Sequence, residues 1–496
     1  MKKTSRWSSL ALLLCIAALI SCGETADTPT EKADTDPVPE ITETEEVTIR
    51  SGVPEDFDLG GETIHLWYTD NWPSYTDIAG SQSGDILDDA VYSQNLAVQE
   101  RLNCIIDFFE SGVNQSECNE AISKLLLAND TAYDVYCPTQ WSGALVVPQG
   151  LYMNIADMPY LSLDEPWWDS AYMKEITMGN DCLYTLVGDC TIDRTRYLSC
   201  CYYNKLMYQE YYENADGMYR TVLDGDWTHE ALKTMCTEVF HDLDGNGKTD
   251  KTDIIGTTLC WNQDIMALQY CTDARLTERN ENNCPYLVIN SEKMADIVSD
   301  IGELAFGTSG ILYGTEKEDI EIIQASEKFA EGTMLFLFGQ LQTAEYLRDM
   351  KQDYGVIPTP KYDREQENYY SYMFEVMRFM ALPYNCQKAE SVCAMLEEMA
   401  FEGYETVRPV YYETVLKNKY ARDDLSAQMI DLVHDGLHTD IALVYLTNWA
   451  QVTLLTRDTM KSTKKPVDFA SRYAKLEQRA VKEGEKLIEQ FLENRE

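Results

Sequence analysis

Residues 242–256 read DLDGNGKTDKTDIIG, and this stretch separates an α/β fold from a helical calcium-sensor fold. Acidic or amide residues recur at alternate positions and Gly247 stands sixth, which is the spacing of a calcium-binding loop. In a helical sensor such a loop leads into a second helix. Here a helix predicted from Thr228 precedes the loop, and residues 254–258 (IIGTT) read as a β-strand. A loop that joins a helix to a strand predicts an α/β fold.

The loop, residues 242–253, supplies a set of predicted calcium ligands. It occurs once, and its last position is Asp where calcium sensors prefer a bidentate Glu. A structural Ca²⁺ that stiffens the corner between helix and strand is therefore the one cofactor we expect. An Asp/Gly-rich turn without an ion is the alternative. The predicted metal ligands are Asp242, Asp244, Asn246, Lys248, Asp250 and Asp253.

The N-terminus has the features of a bacterial lipoprotein signal. Basic residues precede an apolar run at 10–20 that is too short to span a bilayer. The run ends in Leu-Ile-Ser-Cys, which resembles a lipobox, so we expect cleavage before Cys22 and a lipid on its sulfur. An ordinary secretory signal with a chance cysteine is the alternative. We predict a signal peptide at 1–21 and a mature chain anchored to the extracellular face of the cell membrane.

Acidic residues dominate the chain, above all just after Cys22. Residues 23–60 carry 12 acidic side chains against two basic ones, with few large apolar residues. Such a segment repels itself and cannot bury a core, so residues 22–60 are predicted to form a disordered tether. The net charge of −44 excludes nucleic acid as a partner, since phosphate binding needs clustered Lys and Arg.

Strands alternate with helices along the rest of the chain. This alternation predicts βαβ units around a mainly parallel sheet, in which ligands collect at the carboxyl ends of the strands. A second α/β body is predicted to begin near Tyr197. The predicted strands lie at 63–68, 104–109, 133–136 and 198–203, and the first helices at about 84–102 and 117–128.

Six short motifs follow one another along the chain. They are residues 84–92 (GDILDDAVY), 202–205 (YYNK), 226–230 (DWTHE), the loop ending at Gly256, 332–339 (GTMLFLFG) and 353–360 (DYGVIPTP). In this order they resemble the extracellular solute-binding lipoproteins of ABC importers, in the carbohydrate-type group that includes maltose-binding protein. The resemblance covers most of the chain after residue 60. One departure is that sugar binders often carry Gly-x-Trp where residues 338–341 here read FGQL.

The resemblance implies a type II periplasmic-binding-protein-like fold, in which two α/β lobes close over a ligand. It also implies reversible capture of a carbohydrate, expected to be an oligosaccharide, for import by an ABC permease, without enzymatic activity. The crossovers between the lobes would lie near Gly188–Arg196 and Tyr372–Pro383. The predicted N-lobe comprises residues 61–190 and 378–405, and the predicted C-lobe residues 191–377 and 406–496.

Most of the candidate binding residues end or follow predicted strands, and Phe338 and Gln340 come from within and just after the motif at 332–339, which resembles the family's strand that enters the ligand cleft. Sugars need aromatic faces for their CH groups and planar polar partners for their hydroxyls, and these loops supply both. Acidic residues in the same loops would equally suit a cationic or oligopeptide ligand, so peptide binding stays an alternative. The candidates are Tyr68, Asp70, Trp72, Gln140, Trp141, Trp261, Asn262, Phe338 and Gln340.

No recognised catalytic motif stands out in the sequence. The stretch HDGLH, residues 434–438, has the histidine spacing of a zinc site, but Asp435 replaces the Glu of a zinc protease and Gly436 weakens a helix. Paired carboxylates of a surface glycoside hydrolase would show only in space. A sensory solute receptor and, less favoured, a glycoside hydrolase therefore stay alternatives.

Cysteine usage leaves two possibilities open. Thirteen cysteines remain besides Cys15 and Cys22, an odd number without a CxxC pair. An exported protein would pair some of them. An anaerobic source would instead allow thirteen free thiols that behave as small hydrophobic side chains.

Overall fold

The described part of the chain begins within the acidic segment. A computed structural model describes residues 50–69, 78–314, 322–347, 349–412 and 424–494. The predicted signal peptide, Cys22, Asp70 and Trp72 lie outside these residues. Arg50–Glu496 is a single compact unit. Among the described residues, no helix is both long and apolar enough to cross a membrane.

Short strands and helices of varied length alternate through the described part. The strands are β1 (Glu62–Tyr68), β2 (Cys104–Glu110), β3 (Val135–Cys137), β4 (Ser199–Asn204), β5 (Thr257–Cys260), β6 (Thr277–Arg279), β7 (Pro285–Leu287), β8 (Ile311–Gly314), β9 (Phe336–Gln340), β10 (Tyr354–Ile357), β11 (Ser371–Tyr372) and β12 (Leu437–His438). The helices are α1 (Ile86–Leu102), α2 (Cys118–Leu127), α3 (Gln140–Gly143), α4 (Ser170–Ile176), α5 (Asp193–Arg196), α6 (Lys205–Tyr212), α7 (Gly217–Leu223), α8 (His229–Val239), α9 (Gln263–Tyr270), α10 (Glu292–Gly307), α11 (Ile322–Ala330), α12 (Thr343–Tyr346), α13 (Ala389–Glu402), α14 (Arg408–Tyr411), α15 (Asp424–Asp435), α16 (Ile441–Val444), α17 (Leu455–Thr463), α18 (Phe469–Tyr473) and α19 (Glu477–Glu493).

The first sheet has the order β2-β1-β3 and is parallel throughout. Helix α1 connects β1 to β2, and Asp85 caps it by accepting from the amides of Leu87 and Asp88. Helix α2 lies between β2 and β3, and its apolar residues Ile122 and Leu126 are fully buried. Because parallel strands need such crossovers, the observed order confirms the predicted βαβ units.

The second body is built differently, because its three-stranded sheet is antiparallel. Strand β4 lies between β10 and β9 and pairs antiparallel with both. Strands β5 and β8 pair in parallel, and a parallel bridge between Ile255 and Met334 leads β9 alongside β5. Helix α8 precedes the loop 242–253 and β5 follows it. The loop therefore joins a helix to a strand, as its sequence predicts.

The predicted crossover segment 372–383 contacts both bodies. One isolated bridge pairs Thr139, after β3, with Arg378. Another pairs Leu198, before β4, with Met373. The segment thus runs from the antiparallel sheet to the first sheet, which is the course predicted for a crossover.

A buried ion pair joins the two predicted crossover segments. Arg378 donates to the carboxylate of Asp193 through Nε, Nη2 and its backbone amide, at 2.8–2.9 Å. The two side chains are 3% and 1% exposed. The pair is therefore shielded from water and from salt.

Glu397 of α13 holds the start of the described chain. Its Oε1 accepts from the amide of Gly52 at 3.0 Å and from Trp167 Nε1 at 3.2 Å. Its Oε2 accepts from the amide of Ser162 at 3.1 Å and from Trp168 Nε1 at 2.7 Å. The residue is 0% exposed, so four hydrogen bonds compensate the burial of one carboxylate.

All thirteen cysteines of the described part are free thiols. Eleven are buried, and Cys260 and Cys386 are half-buried. Of the two possibilities that the sequence left open, the structure shows thirteen thiols outside disulfides, eleven of which act as small core residues.

Candidate ligand cleft

The carboxyl ends of β1 and β3 bring together the first predicted binding residues. Tyr68 ends β1 and is buried, and Gln140 and Trp141 begin α3 just after β3. Gln140 is buried, and its Oε1 accepts from the hydroxyl of Tyr172. Trp141 is half-buried, and its amide donates to the carbonyl of Glu375 at 2.8 Å. In this group Trp141 is the aromatic side chain that stays accessible.

The ends of β5 and β9 bring together the second group. Trp261 and Asn262 follow β5 directly, and Gln340 is the last residue of β9. Gln340 Nε2 donates to Gln263 Oε1 at 3.4 Å, which joins the two strand ends. Phe338, two residues earlier on β9, is 4% exposed and belongs to the core. The structure thus clusters Trp261, Asn262 and Gln340.

Two cations from α17 cover the ring of Trp261. Lys461 Nζ lies 3.4 Å from the ring centroid and Arg457 Cζ lies 5.5 Å from it. Arg457 Nη1 also donates to Asn262 Oδ1 at 3.0 Å, and its Nε donates to Asp458 Oδ1 at 2.9 Å. These contacts fix the indole of Trp261 and the amide of Asn262 side by side, with Lys461 and Arg457 over the ring.

A chain of buried contacts connects the two groups. Tyr372 donates its hydroxyl to Glu375 Oε2 at 2.7 Å, and its ring centroid lies 6.2 Å from that of Tyr270. Burial raises the pKa of Tyr372 and Tyr270, and the nearby charge of Arg457 opposes the rise in both. The contacts therefore run from Trp141 through the crossover segment to α17. We call the following set the candidate cleft: Trp141, Trp261, Asn262, Gln340, Tyr372 and Glu375.

Asp264 lies buried beneath the candidate cleft. Its Oδ2 accepts from the amide of Cys260 at 2.7 Å, and the side chain is 6% exposed. Burial raises its pKa to about 7, although this hydrogen bond opposes the rise. The folded protein therefore holds the neutral acid at pH values at which the unfolded chain is already ionised.

We expect Asp264 to make the fold less stable as the pH rises from about 4 to about 7, by up to about 1.4 kcal/mol per pH unit. Over that range unfolding releases a proton, so rising pH favours the unfolded chain, and above the folded-state pKa the effect is constant. The Asp264→Asn variant lacks this titration. Urea unfolding of both proteins over this pH range measures the effect. The free energy of unfolding of the wild type minus that of the variant should fall as the pH rises. Parallel pH profiles would contradict the prediction.

The calcium-type loop brings three of its six predicted ligands together. Carboxylate oxygens of Asp242, Asp244 and Asp253 lie within 4.8 Å of one another. Asn246 Nδ2 instead donates to Asp250 Oδ2 at 2.9 Å. The amide of Lys248, at the seventh position, donates to Asn246 Oδ1. A hydrogen bond from the amide of Gly247 lowers the pKa of Asp242, so its carboxylate is ionised.

This donor set fits Ca²⁺. All three clustered groups are carboxylates, and oxygen ligands are the ones that this ion prefers. Among the described residues, no other group of three His, Cys, Asp or Glu side chains brings its ligand atoms within 4.8 Å of one another.

The two histidines of HDGLH do not share a helical face. His434 lies in α15, which ends at Asp435, whereas His438 lies in β12. Gly436 packs against the carbonyl of Tyr369, where an added Cβ would lie 2.6 Å from that oxygen. The chain leaves the helix before this close approach, so the spacing in sequence does not produce a zinc site.

Comparison with known proteins decides the fold. The chain matches no protein-family profile and no curated protein in sequence. Its structure is similar to a cyclo/maltodextrin-binding protein complexed with maltotetraose, at a TM-score of 0.54 and 10% identity, over 86% of this chain and 97% of that one. The chain has a solute-binding-protein fold. A type II periplasmic-binding-protein-like architecture, as predicted, is thereby confirmed.

Two further solved structures have the same fold. The GacH receptor of Streptomyces glaucescens GLA.O, studied unliganded and with acarbose, matches at a TM-score of 0.51 and 12% identity, over 85% of this chain and 99% of that one. An ABC transporter solute-binding protein from Thermotoga lettingae TMO bound with α-D-tagatose matches at 0.53 and 12%, over 86% and 100%. The solute-binding fold thus accounts for most of the chain.

The sequence alone did not indicate Arg457, Lys461 or Glu375 as members of this site. Arg457 and Lys461 are four residues apart on α17, which indicates a basic helix face. Nothing in their spacing connects them with Trp261, almost two hundred residues earlier. Glu375 lies in the predicted crossover, where its role depends on the course of the backbone.

Proposed function

We propose that the protein captures a carbohydrate reversibly in the candidate cleft and delivers it to an ABC permease. The observation that carries this proposal is the grouping of Trp261, Asn262 and Gln340 at neighbouring strand ends. The indole would offer a face for sugar CH groups once Lys461 moves off the ring, and the amides would exchange their present side-chain partners for sugar hydroxyls. Closure would follow binding as a shift between open and closed populations.

We also propose that the mature chain is anchored by lipid on Cys22 at the extracellular face of the membrane. The lipobox-like sequence before Cys22 and the acidic residues after it support this part. Membrane fractionation of cells that produce the wild-type chain or the Cys22→Ala variant tests it. A variant that stays in the membrane fraction as fully as the wild type would argue against the anchor.

The ligand class can be tested by thermal shift. The panel should contain maltotetraose, cellotetraose, xylotetraose, D-tagatose, a set of oligopeptides and single amino acids. A ligand present at one hundred times its Kd adds about 2.7 kcal/mol to the free energy of unfolding, which raises Tm visibly. A sugar that shifts Tm and is recovered unchanged supports capture. A peptide hit, or a sugar that comes back cleaved, would favour the peptide-binding or hydrolase alternative.

We expect Trp261→Ala to weaken binding of the sugar identified in this way about 30-fold, because an aromatic side chain that stacks on a ligand contributes about 2 kcal/mol. Titration calorimetry measures the loss. Tyr286→Ala, which removes an exposed aromatic side chain of β7, is the matched control and should bind like the wild type. Equal affinities of the Trp261→Ala variant and the wild type would remove Trp261 from the site.

We propose a structural Ca²⁺ in the loop 242–253. We expect Ca²⁺ to raise Tm, and Asp244→Ala to abolish that rise while leaving sugar affinity nearly unchanged, because the loop shares no residue with the candidate cleft. Differential scanning calorimetry with Ca²⁺ and with chelator measures the effect. Asp224→Ala, at an exposed position after α7, is the control. A large loss of sugar affinity in folded Asp244→Ala would refute a purely structural role.

A further inference from the structure

A second cavity, of about 500 Å³, shares no residue with the candidate cleft. Its volume lies within the range of about 300–1,000 Å³ that small-molecule sites occupy. One wall comes from the chain around α14 and the other from α15. The lining residues are Tyr404, Glu405, Arg408, Pro409, Tyr412, Ala427, Ile430, Asp431, His434 and Asp435.

A break in helical geometry shapes the first wall. Pro409 has no amide hydrogen, and its ring clashes with the carbonyl one turn earlier, so the preceding turn widens. Residues 403–407 are accordingly π-helical, a form often found at functional sites. Tyr404, Arg408 and Tyr412 consequently stack as a ladder, with Arg408 Cζ at 5.4 and 5.7 Å from the two ring centroids.

The charges around the cavity disfavour ionic ligands of either sign. Arg408 and Arg194 already share the carboxylate of Asp189, at 3.6 and 3.5 Å. A cation entering the cavity would meet the guanidinium of Arg408 in its wall. An anion would first pass the exposed carboxylates of Glu405, Asp431 and Asp435 at the opening. The cavity therefore suits an uncharged molecule.

His434 supplies a polar group that lacks a partner. The residue is 8% exposed, lines the cavity, and its Nε2 makes no hydrogen bond. Burial, assisted by the charges of Arg408 and Arg194, holds its pKa well below the ordinary value, so the imidazole is neutral. Buried polar atoms are nearly always hydrogen-bonded, so this nitrogen calls for a hydroxyl or similar group of a ligand.

We propose that this cavity is a second carbohydrate site, which binds a neutral sugar outside the candidate cleft. Sugar hydroxyls would donate to the carboxylates of Asp431 and Asp435 and pair with His434 Nε2. Pro409, Ile430 and the tyrosine rings would contact the CH groups. The two sites share no residue, so this proposal stands or falls independently of the cleft.

Photo-crosslinking tests the proposal on the full chain, kept in a detergent without a sugar headgroup. The probes are diazirine derivatives of maltotetraose, cellotetraose and xylotetraose, and mass spectrometry locates the labelled peptides. We expect labelling within residues 404–412 and 427–435 with at least one probe. It should persist in the Trp261→Ala variant, which loses labelling at the cleft.

Two variants and one control complete the test. His434→Gln and the surface change Asp431→Asn should each lower labelling of the second cavity about tenfold. Glu485→Gln, at an exposed position of α19, should leave it unchanged. Labelling confined to the cleft, no labelling with any probe, or equal labelling in the variants and the control would overturn the proposal. Loss at the cleft alone would bear on the proposed function and not on this site.

Discussion

Replacing Glu397 with Ala is expected to lower the free energy of unfolding by about 5 kcal/mol, among the largest effects of a single substitution. The carboxylate accepts four hydrogen bonds and is fully buried. Its removal leaves four donors without a partner, and each such donor costs about 1–3 kcal/mol. Entry of water into the space left by the side chain reduces the sum, so we expect less than the upper limit.

Urea unfolding followed by tryptophan fluorescence measures this loss, because two of the four donors are the indoles of Trp167 and Trp168. Glu397→Gln keeps one oxygen acceptor and should lie between the Ala variant and the wild type. Glu390→Ala, at an exposed position of the same helix, is the matched control and should change stability by less than about 0.5 kcal/mol. A loss below about 1 kcal/mol for Glu397→Ala would contradict the stabilising role that we assign to the four hydrogen bonds of this carboxylate.

Breaking the ion pair between Asp193 and Arg378 is the second large effect. We expect Asp193→Ala to lower the free energy of unfolding by about 3–5 kcal/mol, because it leaves a guanidinium 3% exposed without its partner. The double variant Asp193→Leu, Arg378→Met should lose less than Asp193→Ala, since apolar side chains carry no desolvation cost. The ordering of the two variants is therefore more informative than either value.

The exposed ion pair between Arg364 and Asp226 provides the control for this prediction. Its atoms lie 2.9 Å apart, but the side chains are 74% and 41% exposed. Solvent screens such a pair, so Asp226→Ala should cost about 0–1 kcal/mol. Similar losses at the buried and exposed pairs would contradict the role we assign to burial.

Most of the fold could be predicted from local sequence patterns. Periodicity predicted a helix from about residue 84, and Thr228 as an N-cap predicted α8. The structure has both helices, and Asp85 is the cap of α1. The strand after the calcium-type loop followed from a short apolar run. These features depend on residues within one or two turns of each other, which a sequence displays directly.

Contacts between distant residues could not be predicted in the same way. Glu397 meets Gly52 and Trp168 across more than two hundred residues of chain. Arg457 reaches Asn262 across a similar separation. Which acid among 84 lies in the core depends on the path of the backbone, and spacing does not reveal it. The rule that ligands collect at strand ends selected Trp141 and Trp261, whereas Gln340 came from the family resemblance. The structure brings Gln340 next to the strand end that carries Trp261.

The free thiols have a consequence for handling the protein. Burial raises the pKa of Cys104 to about 11 and that of Cys393 to about 12, so few reactive thiolates form while the fold is intact. Opening of the whole fold would expose all thirteen sulfhydryls of the described part, and oxidation of the open chain would then prevent refolding. Alkylation of the eleven buried thiols, rather than of the half-buried Cys260 and Cys386, therefore reports global opening. Burial in the folded protein therefore protects the thiols against oxidation.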